Sequence, residues 1–450
     1  MAGLYSIKRG SLKIWDTAVR YTEVLNAFLP SRALVSFKQQ TGAAASPGIF
    51  PGQRVQEGQL IGVSSDAAAR IHSPIPGIIR ELRTTLMPNG KKELVAVIDL
   101  EGRFSILGKK PEELSWKYRS DAELISQISE RGIINTFDSP CPLAVQIQNT
   151  RKKRSSAQKG IGSLLVRLFD SDPTYSTDEF LARTRFDGIL QGAAITAKAM
   201  GASRIVLAYA AKKWFGPPEE KLKNFFPGKD TIDVQLVNAE SARYPCGDGR
   251  ELINLVNRIG KKAEKPLFTY NDLMIDAVTA LAVRDAIVCN IPMMERYIHV
   301  SGSALVSSAM FKVRIGTRIG DIIEECGGFS APPSKIVING LLRGQAIYDL
   351  DTPITKYTKA VCVLAREQNP DSVSMSCTRC GCCISICPVG IEPMKLYHDF
   401  INRISGPGGR TFSTARLCTG CASCSCVCPA RIPLYQIVSH IKNEFGEDGK

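Results

Sequence analysis

The chain is poor in the residues that most hydrolytic and metal-dependent chemistries use. It has four histidines, at 72, 299, 398 and 440. They form no His-Glu-x-x-His pair and no nucleophile–base signature, so zinc-protease and triad chemistry have no support. No run of about 18 apolar residues occurs, and the chain is not expected to span a membrane by itself. Met1 to Ile14 carries Lys8, Arg9 and Lys13 but lacks the apolar core of a secretion signal. Helix-turn-helix, zinc-finger and aromatic RNA-binding patterns are missing and the basic residues are dispersed, so no nucleic acid partner is expected. The net charge of +14 then has two readings. It attracts an acidic protein or anionic lipid, or it is a solvated basic surface with no particular partner.

Cysteine is what the chain has in quantity. Ten of its fifteen cysteines fall between Cys377 and Cys428. Such crowding at metal spacing points to a reducing compartment and not to a disulfide framework. The stretch reads Cys377-x-x-Cys380-x-x-Cys383-x-x-x-Cys387-Pro388, then Cys418-x-x-Cys421-x-x-Cys424-x-x-x-Cys428-Pro429. Both runs match the bacterial spacing for [4Fe–4S] clusters, in which three thiolates come from one tight loop and the fourth from the other motif. This assigns Cys377, Cys380, Cys383 and Cys428 to cluster one. Cluster two takes Cys418, Cys421, Cys424 and Cys387. Structural zinc is the competing reading, but it is usually served by separated Cys-x2-Cys pairs. Gly381 and Gly420 let backbone N–H groups turn toward sulfur. Cys382 and Cys426, out of register, read as small buried thiols.

The 450 residues allow three or four domains, and 22% charged with 44% hydrophobic residues is ordinary globular composition. Four divisions follow: 1–115, 116–265, 266–365 and 366–450. The first alternates apolar and polar positions from about residue 34 to 100, with glycines at its turns. It resembles the barrel-sandwich hybrid of lipoyl and biotinyl carriers, but its central hairpin, Ser73-Pro74-Ile75-Pro76-Gly77, has no lysine to modify. A structural module without a swinging arm is expected, with His72 packed or exposed and not a ligand.

In the second division, helix and apolar strand alternate as in an α/β layer. A helix begins at Asp121 with Ser120 or Asp121 as its cap. Phe180 to Met200 is mostly helical and Gly201 ends it. Ile205–Tyr209 and Ile232–Val237 are strands. Arg151-Lys152-Lys153-Arg154 reads as a solvated basic loop. Asp170 and Asp172, at i and i+2, share no helix face and also read as a solvated loop.

The third division is β-rich, with strands at Tyr297–Gly302, Phe311–Gly316, Lys335–Asn339 and Val361–Leu364. A short helix, Ile319–Glu325, closes on Gly327-Gly328. This order suggests a β-grasp-like fold, with Cys362 in its core. In the last division each cysteine motif leads into an amphipathic helix. Leu396, Tyr397, Phe400, Ile401 and Ile404 share one face; Leu434, Ile437, Val438 and Ile441 share another. A flexible link from Arg403 to Arg410, with Gly406-Pro407-Gly408-Gly409 inside it, separates the halves, and the tail from Asn443 reads as frayed.

The order of these parts resembles the RnfC family, the C-type subunits of the Rnf ion-translocating electron transport complex. The anchors are Ser73-Pro74-x-x-Gly77, Val313-Arg314-Ile315-Gly316-Thr317, Gly327-Gly328 and the eight cysteines. The resemblance implies a multidomain α+β fold: a barrel-sandwich hybrid, a complex-I-flavoprotein-like α/β layer, a β-grasp (SLBB-like) segment and a helical two-[4Fe–4S] ferredoxin domain. It implies a peripheral protein on the cytoplasmic face of the cell membrane. Such a protein relays electrons between a soluble partner (ferredoxin, flavodoxin or NADH) and the membrane subunits of the complex.

The sequence departs from the family in its middle. The family's glycine-rich loop, Gly-x-Gly-Gly-Ala-Gly-Phe-Pro, is here Asn135-Thr136-Phe137-Asp138-Ser139-Pro140-Cys141-Pro142. A phosphate cradle needs bare backbone N–H groups and close approach. FMN and NADH binding, and NADH dehydrogenase activity of this chain alone, are therefore not expected. The family's acidic motif corresponds to Asp170-Ser171-Asp172-Pro173, and Tyr244-Pro245-x-Gly247-x-Gly249 survives in part. Gly160-x-Gly162 is too short for a dinucleotide fingerprint. Two other functions fit the architecture: a soluble flavin-dependent, cobalamin-reductase-like enzyme, and a scaffold whose clusters are structural.

Overall fold

The computed structural model describes residues 5–8, 11–14, 21–66, 68–87, 89–111, 113–156, 162–210, 232–239, 243–259, 267–366, 374–404 and 410–445. The Gly406–Gly409 link, Gly160 and the last residues of the tail lie outside them. Two antiparallel sheets face each other near the N-terminus. One holds Arg32–Ser36, Lys92–Leu100, Gly77–Leu86 and Arg54–Val55 in that order; the other holds Ala45–Pro47, Leu60–Ser64 and Arg70–His72. Alternate residues turn inward, and Val35, Phe37, Ile61, Ile71, Ile79 and Ile98 fill the space between. The hairpin at Ser73–Gly77 is enclosed. Ile75 is fully buried, the Ser73 hydroxyl donates to the Ile75 carbonyl at 2.6 Å, and Arg314 donates to the Pro74 carbonyl at 3.1 Å.

The α/β layer is built on four parallel strands in the order Asp233–Asn238, Arg204–Tyr209, Ser163–Arg167 and Leu273–Asp276. Leu164 and Val166 face the helices Asp121–Glu130, Leu143–Ser156, Phe186–Met200 and Ala277–Ile287. Leu165 faces the helix Gly249–Ile259 on the other side. Burial on both faces explains why these strands are uninterrupted apolar runs. Ser120 caps the first helix in a full capping box with Glu123. Gly192 lets the helices Phe186–Met200 and Ala277–Ile287 touch: a Cβ there would lie 1.8 Å from the Ala280 carbonyl oxygen. Gly201 ends its helix in the left-handed conformation at φ 65°.

Two expectations fail in this layer, and a third, the mostly helical stretch from Phe180 to Met200, holds with a break in it. The layer's last strand and helix, Leu273–Asp276 and Ala277–Ile287, lie beyond the boundary set at 265; only their pairing and packing with distant segments reveals that. The helical stretch from Phe180 is broken at Arg185, so Thr177–Thr184 and Phe186–Met200 are separate helices. The basic quartet is no loop: it lies in the helix Leu143–Ser156. Arg151 pairs with Asp121 at 2.9 Å and donates to the Ala199 carbonyl at 2.7 Å. Arg154 donates to the carbonyls of Met200 and Gly201. These guanidiniums satisfy the free carbonyls at the C-terminus of a neighbouring helix, where positive charge is favoured.

A fourth sheet has six strands, ordered Gln345–Ile347, Pro333–Ile338, Ala360–Ala365, Glu295–Ser301, Ala309–Arg314 and Leu25–Asn26. The helix Ile319–Glu325 packs its Ile319, Ile322 and Ile323 into this core. Leu25–Asn26, expected with the first division, pairs instead with Phe311–Lys312. Cys362 is half-buried rather than core. The C-terminal helices Pro393–Ile401 and Leu434–Phe445 pack around Leu396, Phe412, Val438 and Ile441. Ile401 and Ile404, expected on the buried face, are 54% and 62% exposed, because the helix ends at Ile401 and turns them away.

Candidate functional site

The two cysteine loops repeat one backbone path. Each has left-handed residues at three equivalent places: Arg379 and Gly420, Gly381 and Ala422, Gly390 and Arg431. Each pair has one glycine and one residue with a side chain, for which this conformation costs about 1–2 kcal/mol. Gly381 and Gly420 therefore do not occupy equivalent positions in the repeat. Short helices follow, Cys382–Ser385 and Ser423–Cys426, and turn their third cysteines inward.

Cys377, Cys380, Cys383 and Cys428 line one cavity, with Thr378, Arg379, Met394 and Ile432 among its other walls. Three come from the first loop and one from the second. The other four thiols also lie together. Burial pushes Cys424 well up, and the neighbouring Cys421, Cys418 and Cys387 push in the same direction. Burial likewise raises Cys418, with Cys421 and Cys387 adding to it. Closely grouped thiols resist ionising together unless a cationic centre compensates them. Backbone N–H groups already point at sulfur, from Arg379 to Cys377 and from Gly420 to Cys418, both at 3.4 Å. Four thiols round one cavity are a donor set whose chemistry fits an iron–sulfur cluster. Cys382 and Cys426 are half-buried and outside both sets.

The sets differ in exposure. Cys377 and Cys380 are exposed, whereas Cys421 is buried. The second loop is held by the α/β layer and the six-stranded sheet. Tyr244 donates from its hydroxyl to the Cys421 carbonyl at 2.5 Å, and Arg343 donates to the Thr419 carbonyl at 3.3 Å. Arg343 also pairs with Asp248 at 3.3 Å. Burial would lower the Arg343 pKa, but Asp248 and its other neighbours outweigh that and raise it.

Open parallel sheets bind ligands at the carboxyl ends of the strands where the order reverses. Here that crevice lies between Ser163–Arg167 and Leu273–Asp276, and a buried ion cluster occupies the strand ends, while the loop at residues 135–141 lines a cavity of about 400 Å³ beside it with Lys153 and Met274. Lys359 reaches Asp178 at 2.7 Å and Asp276 at 2.6 Å. Thr136 donates to Asp276 at 2.7 Å. Arg167, fully buried, lies 4.1 Å over the Phe137 ring and donates to the carbonyls of Gly247 and Phe137. Burial would raise the Asp276 pKa, but Lys359 and Arg167 hold it well below the usual carboxylate range. Among the described residues no glycine cradle stands at this loop, and of the residues that replace it Thr136 and Phe137 contact the buried ion cluster. The residues present do not fit a flavin phosphate.

Asp170 and Asp172 are not a solvated pair. Asp172 is buried and accepts the N–H groups of Thr174, Leu342 and Arg343. Gly340, at φ 95°, permits the turn that wraps it. Asp170 accepts the N–H groups of Asp178 and Glu179 at a helix start. His72 is buried, and burial lowers its pKa to about 3, with Lys356 adding to the shift. Sequence reasoning missed Arg167, Asp178, Lys359 and Arg343, which meet only in the fold, and it named Tyr244 only as part of a surviving motif, without its bond to Cys421. Asp276 alone had a local signal, as an N-cap whose side chain accepts the Thr279 N–H.

The family model described as the RnfC barrel sandwich hybrid domain matches residues 17–103, and that described as the Nuo51 FMN-binding domain matches residues 128–285. The C-type subunit of the proton-translocating ferredoxin:NAD(+) oxidoreductase complex of Clostridium ljungdahlii is 27% identical over 388 residues, which cover 85% of this chain and 82% of that protein. The C-type subunit of the ion-translocating oxidoreductase complex of Rhodobacter capsulatus is 27% identical over 373 residues, 82% of this chain and 69% of the relative. A crystal structure of an NAD+-reducing [NiFe]-hydrogenase in the air-oxidized state shares the fold, with a TM-score of 0.50 and 13% identity over 73% of this chain. The match spans 62% of the hydrogenase chain, less than two thirds of it. Across most of its length, this chain is a relative of the RnfC proteins of ion-translocating oxidoreductase complexes.

Proposed function

We propose that the chain is a two-cluster electron-transfer subunit of an Rnf-type complex, peripheral on the cytoplasmic face of the membrane. Cys377, Cys380, Cys383 and Cys428 hold one [4Fe–4S] cluster; Cys418, Cys421, Cys424 and Cys387 hold the other. The clusters supply one-electron storage. The chain supplies thiolate cages, N–H groups toward sulfur and an apolar packing that limits water, which together tune such centres. The observation that carries this reading is the crossed membership of the thiol sets, three from one loop and one from the other. The C-terminal part is then a ferredoxin-like domain and the six-stranded sheet a β-grasp (SLBB-like) module. Among the described residues no helix is long and apolar enough to cross a membrane, so attachment falls to membrane subunits.

The plugged crevice gives the middle domain its role. It keeps the scaffold of an FMN-binding domain and uses it to carry the second loop through Tyr244, with Arg343 of the six-stranded sheet beside it. Electrons then come from a soluble carrier such as ferredoxin or flavodoxin and not from NADH. The test is to titrate the anaerobic protein with NADH and, separately, with a reduced ferredoxin, following the visible absorbance of the clusters. Bleaching by ferredoxin alone is expected; bleaching by NADH without added flavoprotein would overturn the reading.

A further inference from the structure

Around one thiol set, two arginines stand where its counterpart has glycines. In the Cys377 set, the left-handed residue between the first and second cysteines is Arg379, at φ 55°. The left-handed residue past the proline on the arm carrying Cys428 is Arg431, at φ 54°. In the Cys418 set the same two places hold Gly420 and Gly390, at φ 77° and 70°. The two arginines come from different repeats, yet the crossed arms bring the loops that carry them to one cavity. Arg379 lines it; Arg431 lies between Ala430 and Ile432, which line it too. Glycine adopts this backbone without penalty and arginine does not. Strain of this kind persists where a site needs the side chain.

The surroundings say what the site faces. Both arginines are exposed, as are Cys377 and Cys380 of the same set. Met375, 57% exposed, donates its N–H to the Ala430 carbonyl at 3.0 Å and gives the rim an apolar edge. The other set is backed by Tyr244 and Arg343 of the neighbouring layers. An open thiol cage with two exposed cations on its loops and an apolar edge suits a protein that carries negative charge and must come close. A lipid headgroup would have no need of the adjoining cage.

We propose that Arg379 and Arg431 form the docking site for a small acidic iron–sulfur carrier, at the cluster held by Cys377, Cys380, Cys383 and Cys428. The inference rests on the two-cluster reading above and adds which cluster meets the carrier and through which residues. One electron leaves the reduced carrier and converts a [4Fe–4S]2+ cluster to [4Fe–4S]1+; no bond or proton is exchanged.

The test uses the full-length, cluster-loaded protein and a dithionite-reduced acidic ferredoxin, mixed rapidly over a series of ionic strengths. Replacing both residues, Arg379→Gly and Arg431→Gly, keeps the backbone unstrained. The second-order rate at low salt is expected to fall about tenfold and to lose much of its salt dependence. Iron and sulfide content stay the same and the thermal midpoint does not fall. The pair Arg379→Lys and Arg431→Lys is expected to keep most of the rate. An unchanged rate in the glycine pair would sink the proposal, and so would loss of its clusters, which would make the arginines structural. A variant that keeps the rate but no longer binds phosphatidylglycerol vesicles would assign the arginines to a membrane instead. Wild-type protein without iron and sulfide would remove the two-cluster reading itself, before any variant is compared.

Discussion

Lys359 decides whether the α/β layer holds together. Its ammonium sits between two buried carboxylates, Asp178 and Asp276, with Arg167 near the first. Burial opposes its charge, but Asp178 and Asp276 outweigh burial and raise its pKa. Removing one partner of such a group strands the others in a low-dielectric interior. Lys359→Met is therefore expected to cost about 3–5 kcal/mol in a denaturant titration; a loss under about 1 kcal/mol would show that the carboxylates find other partners. The cysteines were legible because ligand spacing is local. Lys359 was not, because its two partners lie far from it in sequence and nothing nearby marks it as buried.

At the scale of elements, packing turns on close approach. The helices Phe186–Met200 and Ala277–Ile287 meet at Gly192, where the Ala280 carbonyl leaves no room for a methyl group. Gly192→Ala must push them apart and is expected to cost about 1–3 kcal/mol by thermal or chemical unfolding. Unchanged stability would mean that the helices slide without loss. Sequence periodicity found the helices at Asp121 and Ile319 and strands of the six-stranded sheet, but not the helices Leu143–Ser156, Gly249–Ile259 and Ala277–Ile287 or the strands Ser163–Arg167 and Leu273–Asp276. Ser120 was one of the two caps it offered for the first helix. The Arg151–Arg154 quartet and Asp170 with Asp172 were misread, since charge looks solvent-bound until its partners appear. Here those partners are helix-end carbonyls and loop N–H groups from distant segments. The left-handed positions of the cysteine repeat were hidden for another reason: the glycines alternate between its two copies, so neither copy shows the pattern alone.

Across the whole molecule, Lys356 pins the parts together. It lies beside the six-stranded sheet and donates to the Arg70 carbonyl of the barrel at 2.9 Å and to the Gly132 carbonyl of the α/β layer at 2.7 Å. Burial lowers its pKa from 10.5 to about 7. Between those values the unfolded chain binds a proton that the native state has released, so stability rises as pH increases through this window. Below it both states are protonated, and the native state bears the full burial penalty, on the order of a few kcal/mol. Unfolding free energies measured from pH 7 upward are expected to climb in the wild type and to flatten in Lys356→Met; parallel curves would contradict this. The parts themselves were legible from turn and strand patterns. Their true limits were not, because Leu25–Asn26 and Leu273–Ile287 join sheets set by distant pairing.

Two iron cubanes held by eight thiols from two crossed loops have a fixed composition, which chemical analysis of the anaerobically purified protein reads. About eight iron atoms and about eight acid-labile sulfides per chain are expected. Zinc in their place, or iron without sulfide, would contradict it.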